Sequence, residues 1–105
     1  MVQNAKLLRI LLSATDRYMG APAYEAIANK CMALGIAGAT VVKGIEGFGD
    51  TAEMHRTRAI KGDEPIAVTI VDTSENIERL LPELEQIAGD ALIAISNVTM
   101  RRIER

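Results

Sequence analysis

Apolar residues repeat along this chain with two different periods, and the order in which those periods alternate limits the folds open to it. Lys6 to Ser13 alternates every second residue: Leu8, Ile10 and Leu12 point one way, and Leu7, Arg9 and Leu11 the other. The polar and small stretch Thr15 to Ala21 reads as a loop. Pro22 then stands where a helix begins, its fixed φ suited to the first helical position. Tyr24, Ile27, Ala28, Cys31 and Leu34 form one helical stripe, and Gly35 closes it in the left-handed conformation. Ile36 to Ile45 and Pro65 to Asp72 are β-branched and read as the second and third strands.

Thr73 or Ser74 caps a second helix with the stripe Ile77, Leu80, Leu81, Leu84, Ile87 and Ala88, in which Pro82 predicts a kink or restart. Gly89-Asp90 makes a turn. Ala91 to Val98 is the fourth strand, and Thr99 to Arg105 is a basic tail with room for a short further strand. The order β-α-β-β-α-β predicts an α+β, ferredoxin-like sandwich: a four-stranded antiparallel sheet with both helices on one face. Residues 1–105 read as a single domain, with a mobile loop at about 46–64.

The face without helices should be polar in a monomer. It is not: Leu7 and Leu11 on the first strand, Ala67 and Val71 on the third, and Leu92 and Ala94 on the fourth lie opposite equally apolar residues. Two apolar faces predict an oligomer in which the helix-free faces meet.

Composition removes several functions. Tyr18, Tyr24 and Phe48 are the only aromatic rings and the net charge is -2, so neither stacking platforms nor a basic footprint for nucleic acid exist. The lone cysteine, Cys31, excludes an intrachain disulfide and fits a reducing cytoplasm. No apolar run is long enough to insert in a membrane, and Met1 to Lys6 lacks the pattern of a signal peptide.

The chemistry-bearing residues are sparse. Gly38, Gly44, Gly47 and Gly49 follow or interrupt the second strand, without the Rossmann or P-loop arrangement. They can form a plain hairpin root, or expose N–H groups at Gly47 and Gly49 as an anion-binding nest. His55, the single histidine, cannot hold a metal alone and reads as a solvated loop residue, and no cluster has metal-ligand spacing. Cys31 lies on an apolar stripe, where a small buried hydrophobe is expected. No two of the scattered carboxylates are paired for acid–base work, and Asp72 reads as part of a helix cap. Arg101, Arg102 and Arg105 can clamp a phosphate, or simply form a solvated terminus. No nucleophile–base set is legible, so an enzyme is not expected.

Several motifs resemble a known family. They are Asp16-Arg17-Tyr18, the helix start Gly20-x-Pro22-x-Tyr24-Glu25-Ala26-Ile27, Gly38-Ala39-Thr40-Val41, Gly44-Ile45-Glu46-Gly47-Phe48-Gly49, His55, Pro65 and Ile70-Val71-Asp72. Together they span Leu7 to Val98 and resemble an uncharacterised bacterial and archaeal family, domain of unknown function 190, related to the nitrogen-regulatory PII proteins. The resemblance implies a PII-like homotrimer that binds adenine nucleotides between subunits and signals through the loop after the second strand. It implies ligand contacts at Gly44, Gly47, Phe48, Gly49, Gly89, Asp90, Arg101, Arg102 and Arg105. It implies a partner-facing loop carrying Asp50, His55, Arg56 and Arg58, docking on a membrane transporter or another regulated protein.

The chain also departs from PII. Asp50-Thr51-Ala52 lacks the glutamine that helps PII hold magnesium and 2-oxoglutarate, and the loop has no tyrosine for nucleotidylation. Ala91-Leu92 replaces the glycine and lysine of the PII phosphate turn. The expected function is therefore effector-dependent signalling by a small anion, with an adenine nucleotide as the candidate. The alternative is a metal-binding or metal-tolerance trimer of the same fold, using His55 and neighbouring carboxylates.

Overall fold

The computed structural model describes residues 2–43, 46–48, 54–56 and 64–103. The chain forms β1 (Val2–Ser13), β2 (Arg17–Tyr18), β3 (Ala21–Pro22), α1 (Ala23–Ala33), β4 (Gly38–Lys43), β5 (Glu46–Phe48), β6 (Met54–Arg56), β7 (Pro65–Thr73), α2 (Ser74–Ala88) and β8 (Leu92–Arg101). The four long strands make one antiparallel sheet in the order β4-β7-β1-β8. This is the ferredoxin-like arrangement expected from the alternation of periods.

One row of side chains crosses all four strands: Val41, Val68, Ile10 and Ile93 stand side by side through successive register pairs. With Leu8, Leu12, Ile66 and Ile70 they form the core, closed by Ala23, Ile27 and Cys31 of α1 and by Ile77, Leu80, Leu84 and Ile87 of α2. Each large side chain withdrawn from water contributes roughly 1.5–3 kcal/mol, so this single face carries most of the stabilisation.

The adjacent row, displaced by one residue, runs Val42, Ala67, Leu11, Leu92 on the opposite face. No helix covers it: Val42 is 53%, Leu11 37% and Leu92 49% exposed. The twofold apolar character of the strands is thus real, and one of the two faces is left uncovered.

Four local expectations need correction. Thr15 to Ala21 is not simply a loop, because Arg17–Tyr18 pairs with Ala21–Pro22. Met19 and Gly20 both take positive φ (51 and 84), the geometry that closes a two-residue hairpin. Pro22 consequently ends β3 and precedes the helix at ψ 132, and α1 begins at Ala23. The second strand starts at Gly38 because Ile36 is still used by the helix: Gly35 (φ 71) donates to the Met32 carbonyl and Ile36 to that of Cys31, a Schellman termination. Finally, α2 does not restart at Pro82 but runs unbroken from Ser74 to Ala88. Pro82 lies on its exposed side, where water can take the carbonyl that the ring leaves without a donor.

Candidate functional site

The antiparallel register sorts the predicted site residues to the two ends of the sheet. At one end Lys43 pairs with Ile66, Ser13 with Pro65 and Leu11 with Leu92. The chain leaves the sheet here after β4 and returns at β7. The Gly89-Asp90 turn also delivers the chain to β8 at this end.

Both roots of the excursion are held. The Lys43 ammonium lies 6.0 Å from the centroid of the Tyr24 ring, within reach of a cation–π attraction. At the other root the Ala14 amide donates to the Glu64 carbonyl at 2.9 Å. Asp16 stiffens the same corner: one carboxylate oxygen accepts from the Ser13 amide at 2.9 Å, and its backbone carbonyl from the Ala23 amide at 2.8 Å. Neither Lys43 nor Tyr24 stood out in the sequence as a site residue. A lysine beside a glycine has no signature, and the tyrosine meets it only through folding.

Of the glycine-rich stretch, Gly38 is not required by crowding, since a methyl group there would meet Val71 at an ordinary 3.8 Å. Gly47 and Phe48 lie on β5, paired with His55 and Met54 of β6, and Arg56 pairs with Glu46. The segment expected as a mobile loop therefore contains a two-stranded ribbon. Gly44, Gly49, Asp50, Arg58 and Arg105 lie outside the described residues.

Gly89 ends α2 at φ -59 and ψ -25. A Cβ there would stand 2.8 Å from the Glu85 carbonyl oxygen, closer than packed atoms tolerate, so this turn requires glycine. The Ala91 amide closes it on the Ala88 carbonyl at 3.0 Å, and Asp90 is exposed beside it.

The arginines are elsewhere. Arg101 pairs with Val2 at the far end of β8, and Arg102 is exposed just beyond. Nine residue steps along β8 separate Leu92 from Arg101, about 31 Å at strand rise. One chain does not bring Gly89 and these arginines together. Near the arginine end lies an open depression of about 440 Å³ lined by Asn4, Ala5, Ser74, Asn97, Val98 and Thr99.

Asp72 sits at this same end, 3% exposed, and is structural. One carboxylate oxygen accepts from the Ala37 amide at 2.8 Å; the other accepts from the Thr73 amide at 2.6 Å and from the Asn76 side-chain amide at 3.1 Å. Burial alone would raise its pKa, but the donors from Ala37, Thr73 and Asn76 outweigh it and hold the carboxyl below its usual value. Thr73 supplies the cap of α2 by accepting from the Asn76 amide at 3.2 Å. The capping role was legible in the sequence; the bond to Ala37, 35 residues away, was not. Cys31 is buried, and burial pushes its thiol up, away from the reactive thiolate.

Among the described residues, no group of three or more His, Cys, Asp or Glu could hold a metal, and no helix is long and apolar enough to cross a membrane. Residues 5–100 match the family model described as "DUF190: Uncharacterized ACR, COG1993". The chain is 40% identical over 97 residues to the UPF0166 protein MJ1524 of Methanocaldococcus jannaschii, covering 90% of this chain and 89% of that protein. Its fold is similar to that of CPII, a nitrogen regulatory PII-like protein from Thiomonas intermedia K12, in a structure bound to ADP, AMP and bicarbonate. The TM-score is 0.74 at 17% identity, over 97% of this chain and 92% of that chain. A weaker likeness, TM-score 0.54 at 17% identity over 98% of this chain and 85% of that one, is to the divalent ion tolerance protein CutA1 of Ehrlichia chaffeensis. The chain belongs to the DUF190 family, and its fold is PII-like.

Proposed function

We propose that this protein is a cytoplasmic, PII-like signalling trimer that binds a small anionic effector, an adenine nucleotide, in clefts between subunits. The observation that carries this reading is the division of the candidate site. The Gly89-Asp90 turn and the roots of the 44–63 segment share one end of the sheet, while Arg101 and Arg102 lie about 31 Å away. A phosphate site using both halves takes them from different chains. The uncovered row Val42, Ala67, Leu11 and Leu92 supplies the apolar surface on which such chains associate. The structure of CPII with ADP and AMP supports the choice of effector class.

In this reading Gly44, Gly47, Phe48 and Gly49 approach the effector through backbone groups, Gly89 and Asp90 cradle it, and Arg101, Arg102 and Arg105 of a neighbouring chain neutralise phosphate. The effector shifts the conformational population of the segment bearing Asp50, His55, Arg56 and Arg58. That segment then docks on a membrane transporter or another regulated protein. No step in this reading is catalytic.

Subunit complementation tests it. A double Arg101→Ala, Arg102→Ala variant and a Gly89→Ala variant are each expected to lose the thermal shift that ATP, ADP or AMP gives the wild type. A ligand at a hundredfold its Kd stabilises by about 2.7 kcal/mol. Trimers reassembled from both variants regain part of the shift, because one cleft in each mixed trimer joins an intact turn to intact arginines. No recovery would place both halves in one chain, and no shift of the wild type at millimolar nucleotide would remove the effector class. The CutA1-like alternative is addressed by titrating divalent metal into wild type and His55→Ala, where equal affinities remove it.

A further inference from the structure

The short hairpin between β1 and α1 has no part in the effector site described above, yet it is tied to the loop-bearing end of the sheet by backbone bonds at its base. Its base is pinned by the Asp16 carbonyl accepting from the Ala23 amide, by the pairs Arg17–Pro22 and Tyr18–Ala21, and by Tyr18 packing on the core. Its tip is Met19, 88% exposed and at φ 51. Met19 is the one non-glycine residue with positive φ among the described residues. Asparagine or glycine fits that backbone better, and either would leave less apolar surface in water. The methionine is thus unfavourable in the free chain on two independent counts. The side chain of Arg17, exposed at the base of the hairpin, makes no ion pair or hydrogen bond among the described residues.

We propose that the β2–β3 hairpin is a preformed docking element whose anchor is Met19, seated in an apolar pocket of a partner protein edged by carboxylates that meet Arg17. The proposal rests on reading the chain as a regulator of a partner, and adds a rigid contact to the responsive 44–63 segment. A flexible, polarisable side chain on a stiff backbone suits such an anchor: it adapts to the pocket while little backbone entropy is lost on binding. A second copy of the chain is the less suitable occupant, because the hairpin leads into α1 on the helix-bearing face, whereas the uncovered apolar row lies on the other. A lipid surface is less suitable too, since one methionine buries too little to hold a membrane.

In cells producing the full chain, Met19 and, as control, Met32 (79% exposed on α1) are replaced singly by a photo-reactive diazirine analogue of methionine. Illumination is expected to link position 19, but not position 32, to another protein. With that protein purified, Met19→Asn should weaken the binary complex roughly tenfold or more. Arg17→Gln should weaken it less, with a loss of salt dependence. Met19→Asn should melt at or above the wild-type temperature with the same oligomeric mass; Met19→Gly serves should it not. Products shared with position 32, links only to copies of this chain or to lipid, or unchanged binding by Met19→Asn would each overturn the proposal. Nucleotide thermal shifts are independent of these readouts. A chain that docks through Met19 and ignores nucleotides would sink the effector reading and leave this one standing.

Discussion

Replacing Asp72 by asparagine is the sharpest test of how the sheet and α2 are joined. The carboxylate is 3% exposed and accepts from the amides of Ala37 and Thr73 and the side chain of Asn76. Asparagine offers one acceptor oxygen in place of two. In either flip its NH₂ faces a backbone amide, of Ala37 or of Thr73, and that donor loses its partner. A hydrogen bond to a charged group contributes about 1.5–3 kcal/mol, and a buried orphaned donor costs about 1–3. The losses overlap, so Asp72→Asn should destabilise by about 2–4 kcal/mol.

Urea unfolding at fixed protein concentration reads this directly. With a slope of about 1–1.5 kcal/mol/M for a chain of this size, the midpoint should fall by roughly 1.3–4 M with the slope unchanged. The pH dependence has a definite sign. The folded pKa lies below the unfolded one, so the stabilisation is present above the unfolded value of about 3.9 and is lost as pH falls through the folded value. Wild type should therefore lose its advantage over Asp72→Asn progressively as the pH falls from the unfolded value through the lower folded value. A variant within about 0.5 kcal/mol of wild type at neutral pH, or parallel pH profiles, would show that the carboxylate does not clamp β4 to α2.

Two further substitutions probe the uncovered face and the helix. Leu11→Arg places a charge in the row Val42, Ala67, Leu11, Leu92 without touching the core face; light scattering should show a smaller mass than for wild type, and an unchanged mass would mean that this row is not where copies meet. Pro82→Ala restores an amide to the exposed side of α2 and should raise stability by about 1–3 kcal/mol. A thermal melt that falls instead would mean that the ring makes packing contacts outweighing the lost bond.

The sequence by itself determined the order of the two helices and four long strands, and it sorted each strand's residues into two faces. Because both faces are apolar, only the packing of the helices decided that Leu8, Ile10, Leu12, Ile66, Val68 and Ile70 form the inward set. The helical stripes, the Thr73 cap, the left-handed Gly35 and the surplus apolar face were equally legible, because each depends on residues within one or two turns of each other. What only the tertiary structure decided depends on pairs distant in the chain. The antiparallel register sends Gly89 and Arg101 to opposite ends of β8, a separation that adjacency in sequence conceals. The Ala37–Asp72 bond and the Lys43–Tyr24 contact join elements with no shared local pattern. Met19 was hidden for a different reason: nothing in a methionine announces positive φ, and only the closure of the hairpin around Gly20 imposes it.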